Sequence, residues 1–140
     1  MLSLRIEPDT DGTGELFAKV AHASFSGASS AWFNLQELRA FGERLQATFP
    51  IPPGTSLSLQ GGFWSKSGAS VIEQLHVGIS FYPIGGAGVV GVRVTLATSI
   101  HEGARPEAQH TVAVEFRTQY EPLRAFGIAL VALVNGSVSS

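Results

Sequence analysis

The chain has 140 residues and no cysteine. Disulfides, thiolate nucleophiles and thiolate metal sites are excluded together, and a reducing, cytoplasmic setting is the expectation. Charge is also scarce. Only 14% of residues are charged, the net charge is −2, and no basic cluster occurs. A surface that tracks nucleic-acid phosphates is therefore not expected. Long apolar runs are missing as well. The opening MLSLRIEPD holds none that reads as a secretory signal, and the most apolar stretch, GIALVALV at Gly127–Val134, is too short to span a bilayer. No membrane role is expected. What the chain does have is 44% hydrophobic residues, enough for a sizeable core, in a length that fits a single domain over 1–140.

Two-residue alternation predicts strands at Leu2–Glu7 and Leu16–Phe25. PDTDGTG between them reads as a turn. SGASS reads as a loop, with Ala31–Phe33 as a short edge strand. NLQELRAFGERLQATFP then switches to helical spacing: Leu35, Leu38, Phe41, Leu45 and Phe49 form one apolar stripe. Asn34 is suited to the N-cap, with Glu37 completing a capping-box pattern and Phe33 placed as a hydrophobic staple. Pro50, Pro52 and Pro53 stop the helix. Further strands are expected at Ser56–Leu59, Gln74–Tyr82, Val89–Ser99 and His110–Arg117, with GGFWSKSGAS as a loop or irregular hairpin and IGGAG as a hairpin turn. In the second of these strands Leu75, Val77, Ile79 and Phe81 point in, and His76, Gly78 and Ser80 point out. A last helix starts near Glu121-Pro122 and stops around Asn135-Gly136.

LRAFG occurs twice, at Leu38–Gly42 and Leu123–Gly127, at the same place on the two helices. Upstream, GELFAKVAHAS (Gly14–Ser24) is similar to GVVGVRVTLAT (Gly88–Thr98). The strand offset is 74 and the helix offset 85, so 11 extra residues fall between strand and helix in the second half. The pattern describes two strand-strand-helix units, which points to internal duplication. One apolar face per strand and one stripe per helix give the expected fold: α+β, an antiparallel sheet of about five to six strands with two helices packed on one face. Glycine in mid-helix costs about 1 kcal/mol relative to alanine. Matched glycines at 42 and 127 therefore point to a close approach, of helix to helix or helix to sheet.

The chemistry-bearing residues make no catalytic signature. His101 and His110 flank a loop with Glu102 and Glu107, but the spacing matches no zinc motif, so no metal or cofactor is expected. IGGAG leads into a strand and lacks the helix N-terminus that a phosphate loop needs. No serine sits in G-x-S-x-G. His76, Arg93, Glu115 and Arg117 fall on outward positions of consecutive strands, among Gly78, Ser80, Gly91 and Ala97. Such a face is flat and accessible to a partner, although cross-strand ion pairing alone also produces it. Phe63-Trp64 between glycines is either a plug over a sheet end or an exposed anchor. Trp32-Phe33 reads as core. The candidate partner-binding residues are thus Trp64, His76, Arg93, Glu115 and Arg117.

With these elements placed, the chain resembles small bacterial immunity proteins of the WapI type. The residues concerned are FSG, WFNLQELRAFGERL, LSLQGG, GVVGVRVTL and TVAVEFRTQYEPLRAF, from about Gly14 to Leu133. The resemblance implies a protein that binds and neutralises a cognate toxin domain without a cofactor. Two other readings stand beside it. One is a small enzyme or ligand-binding domain with a pocket at His76, Arg93 and Glu115. The other is a homo-oligomer joined through the last helix.

Overall fold

The computed structural model describes residues 1–65 and 71–138. Strands β1 (Leu2–Pro8), β2 (Thr13–His22) and β3 (Phe25–Asn34) lead into helix α1 (Leu35–Ala47). Strands β4 (Leu57–Trp64), β5 (Ile72–Ile84), β6 (Val89–Ala97) and β7 (Thr111–Gln119) lead into α2 (Tyr120–Val138). Each set of strands pairs antiparallel in chain order. The expected single sheet of five to six strands is therefore two sheets, of three and four strands. The main difference is β3. Its Gly- and Ser-rich start reads as a loop, yet it pairs with β2 from His22↔Phe25 to Thr13↔Asn34. Residues 66–70 of the expected GGFWSKSGAS loop lie outside the described residues, and Gly61–Trp64 belong to β4.

Small residues in β3 serve a packing purpose. A Cβ on Gly27 would lie 2.3 Å from Val112 Cγ1 on β7, and one on Gly61 of β4 would lie 2.4 Å from the Phe33 ring. Between them, the Ser29 hydroxyl donates to Ala97 O on β6 at 2.5 Å. β3 thus runs crosswise over the four-stranded sheet, as in orthogonal sheet packing. The rung beneath it is Gly61–Val77–Leu96–Val112. The next two rungs, Leu59–Ile79–Val94–Val114 and Leu57–Phe81–Val92–Phe116, continue the same inner face. The helices close this end: the Phe81 ring lies 6.1 Å from Phe41 of α1 and 5.8 Å from Phe126 of α2. Each fully buried Leu, Ile or Val here contributes about 1.5–3 kcal/mol.

The repeated pentapeptide marks where the helices meet. A Cβ on Gly127 would lie 2.6 Å from Gly42 O and 3.1 Å from Gln46 Cγ; a Cβ on Gly42 would lie 3.0 Å from Gly127 O and 2.8 Å from Val131 Cγ2. The contacts are reciprocal, since Gln46 and Val131 are related by the same 85-residue offset as the two glycines. The expected close approach is therefore helix to helix. Asn34 caps α1, its Oδ1 accepting the Gln36 N–H at 2.9 Å. α2 runs past Asn135-Gly136, with the Ser137 hydroxyl donating back to Leu133 O at 2.9 Å. The segment after α1 is tied to α2 by the Ile51 N–H, which donates to the Tyr120 hydroxyl oxygen at 3.0 Å.

Candidate functional site

The outer face of the four-stranded sheet carries three of the expected residues. Its rungs are Gln60–Gly78–Thr95–Ala113, Ser58–Ser80–Arg93–Glu115 and Tyr82–Gly91–Arg117. Arg93, Glu115 and Arg117 are exposed there, and Arg93 stands directly opposite Glu115. Gly91 makes room for Tyr82: a Cβ at 91 would lie 2.5 Å from the tyrosine ring. Tyr82 lies over that gap and its hydroxyl donates to Glu115 Oε1 at 2.8 Å. Burial pushes the Tyr82 pKa up, the Glu115 carboxylate adds to this and Arg93 opposes it, so the hydroxyl stays protonated as a donor. The result is a shallow face with a central carboxylate held in place and a cation at positions 93 and 117.

His76 is not on that face. Pairing jumps from Gly61↔Val77 to Gly62↔Leu75, which leaves His76 as the extra residue of a β-bulge. His76 and Val77 are consequently both buried, at 4% and 0% exposure. Leu75 is turned to the outer face, its Cδ2 lying 3.1 Å from where a Gly78 Cβ would stand. The expected order, Leu75 in and His76 out, is thus reversed by one inserted residue. The sequence signal was the Gly61-Gly62 pair. Gly62 has φ +155°, and a Cβ there would meet Gln74 O at 1.9 Å.

The surroundings of His76 are structural. Its Nε2 lies 2.6 Å from Gln74 Oε1. That oxygen also accepts the Ile100 N–H at 2.9 Å, while Gln74 Nε2 donates to Ile100 O at 3.2 Å. The amide orientation is fixed by this double contact, so the network assigns the proton to His76 Nε2. Phe63 covers the ring edge-on at 4.6 Å. Desolvation lowers the His76 pKa and keeps the imidazole neutral. His76, Arg93 and Glu115 are not brought together, and none of the three lines the clefts at the β4 edge, over β1–β3 or between Phe81 and α2.

Trp64 lies elsewhere again. It is 44% exposed at the end of β4, and it lines an open cleft of about 480 Å³ with Trp32, Asp9, Asp11, Glu37 and Gln60. The expectation that Trp32-Phe33 is core holds for only one of the pair. Phe33 is 4% exposed against Gly61, while its strand neighbour Trp32 is 55% exposed. Alternation along β3 forces this split and would have revealed it had the strand been read to its full length. Asp9 and Asp11 come from the β1–β2 turn. The Asp11 carboxylate accepts the Thr13 hydroxyl at 2.6 Å and the Thr13 N–H at 3.1 Å. These bonds, the hydroxyl foremost, hold its pKa below the usual carboxylate value.

Among the described residues, no group of three or more His, Asp or Glu is placed to hold a metal ion, and no helix is long and apolar enough to cross a membrane. His101 and His110 are exposed beside the β6–β7 loop. No protein family, curated protein or solved structure matches this chain.

Proposed function

We propose that this chain is a non-enzymatic protein-binding module that docks its partner on the outer face of the four-stranded sheet. The observation that carries the reading is the Ser80–Arg93–Glu115 rung with Arg117 beside it: exposed charges on a face kept shallow by Gly78, Ser80 and Gly91. Charges so arranged select a partner of complementary pattern more than they add affinity. The resemblance to WapI-type immunity proteins makes the specific form of this reading a toxin-neutralising role. The 85-residue correspondence of the helices supports an origin of the two units by duplication.

The test compares tagged wild-type chain with the Arg93→Glu/Arg117→Glu double variant in pull-downs from native lysate at moderate salt, read by mass spectrometry. The reading expects one partner, near equimolar, that the variant loses while its circular dichroism is unchanged. A partner held equally by both chains, or none recovered across growth conditions, contradicts it. Self-association through α2 is the second reading. Ile128 is 45% exposed, with Ala125, Ala129 and Ala132 exposed around it. Light scattering that gives a monomer at micromolar concentration removes it.

A further inference from the structure

From the β4-edge cleft we infer a second binding site, one that takes an arginine side chain on a segment of the protein partner. The sequence contains two tryptophans, Trp32 and Trp64, and both stand half-exposed on the walls of this one cleft. They arrive from different sheets, Trp32 from β3 and Trp64 from β4. Large exposed aromatic surface is unfavourable in water and is typical of binding anchors.

The charge of the cleft is complementary to a cation. Asp9, Asp11 and Glu37 line it, and among the described residues none of the three is in an ion pair. Asp9 Oδ1 accepts the Thr10 N–H at 2.7 Å and Asp11 Oδ1 accepts from Thr13, which leaves the second oxygen of each carboxylate for a ligand. Carboxylates and tryptophan rings lining one cleft fit a guanidinium better than an ammonium. The guanidinium is planar, stacks on aromatic faces and donates in a fork that matches a carboxylate.

The source is argued from shape. The cleft continues into a second one of about 270 Å³ between α1 and β4, which shares Glu37, Gln60 and Trp64 and contains Arg44. The joined groove suits an extended peptide segment rather than a free amino acid. The inference rests on the protein-binding reading for the origin of that segment, although it concerns a different surface.

The two tryptophans also provide the readout. Tetra-arginine peptide is titrated into the full chain while tryptophan emission is followed, with tetra-lysine and tetra-glutamine alongside. The expected result is a saturable emission change with tetra-arginine, weaker binding of tetra-lysine and no response to tetra-glutamine. Asp9→Asn/Glu37→Gln, which keeps an acceptor for the Thr10 N–H, weakens tetra-arginine binding by about tenfold, as loss of two exposed charge pairs should. Trp32→Phe and Trp64→Phe each retain part of the signal. Absence of a saturable change, equal affinity for tetra-lysine, or unchanged affinity in the double variant overturns the inference. Because no partner is used, a negative titration leaves the sheet-face reading intact, and a failed pull-down leaves a positive titration intact.

Discussion

The two halves of this molecule are built on one frame and finished differently. In each, a strand passes into a helix with no loop between, at Asn34–Leu35 and at Gln119–Tyr120. In each, three alternating residues of the preceding strand are buried: Leu16, Ala18 and Val20 in β2, Val90, Val92 and Val94 in β6. The link between those strands is where they part. Residues 23–24 join β2 to β3, whereas residues 98–110 join β6 to β7, and the difference accounts for the 11 extra residues of the second half. The long link is used: Gln109 Nε2 donates to Leu75 O at 3.3 Å and Thr98 O at 2.9 Å, and Gln74 holds Ile100, so this loop braces the bulge at His76. The surfaces diverge further. At the helix offset, Trp32 corresponds to Arg117 and Glu37 to Pro122. At matching frame positions the first half therefore supplies a tryptophan and a carboxylate to the acidic, aromatic cleft it shares with β4, and the second a cationic sheet position. Burial constrains the frame, and what lies outside it is free to differ.

The comparison is broken most strongly in the core. Leu38 and Leu123 open the two LRAFG copies and are 0% and 1% exposed. Replacing either by alanine is expected to cost about 2–5 kcal/mol in urea unfolding, and the two losses should be alike. A much smaller loss at one of them would mean that its half is appended rather than shared. Next comes the helix crossing. Alanine at Gly127 drives its Cβ to 2.6 Å from a backbone oxygen, whereas alanine at Gly42 first meets a side-chain atom, the Val131 Cγ2 methyl at 2.8 Å, with the Gly127 oxygen farther off at 3.0 Å. Overpacking of about 1–3 kcal/mol, offset by about 1 kcal/mol of helix propensity, leaves Gly127→Ala clearly the more destabilising in thermal melts. A stabilised Gly127→Ala protein would refute the close crossing.

Smaller effects sharpen the contrast. Because the folded-state His76 pKa is depressed, the unfolded chain binds more protons below its own value of about 6.5. Stability from this residue is complete above that pH and declines as pH falls through the window down to the folded-state value. Urea midpoints compared at pH 7 and 5 should show the decline in wild type and a flatter profile in His76→Gln. Trp64→Ala should be the mildest, within about 0.5–1 kcal/mol, since the side chain stands at the surface. A loss of several kcal/mol would make Trp64 a core residue and remove it from the cleft.

Periodicity carried much of this architecture. The Asn34 cap, the alternation in β6 and β7 and the apolar stripe as far as Leu45 are all local, and local rules read them correctly; Phe49, expected to end that stripe, lies beyond α1 and is 75% exposed. Arg93, Glu115 and Arg117 were placed on one face by the same rule. The misreadings have non-local causes. β3 is a strand because it lies across a second sheet, and Gly27 and Ser29 suit that crossing better than they suit a strand in isolation. His76 is buried because one residue is inserted opposite Gly61-Gly62, and that insertion inverts the side chains beyond it as far as the second register shift at Phe63-Trp64. The cleft joins the β1–β2 turn, β3, the start of α1 and β4, so no window of sequence contains it.

The shared frame is tested most directly by native-state hydrogen exchange across a denaturant series. Amides within Leu38–Leu45 and Leu123–Leu130 flank the crossing and are predicted to exchange only through the same global opening, with one common free energy. A helix whose amides open at distinctly lower denaturant than those of the other would contradict the claim that the two halves form one cooperative core.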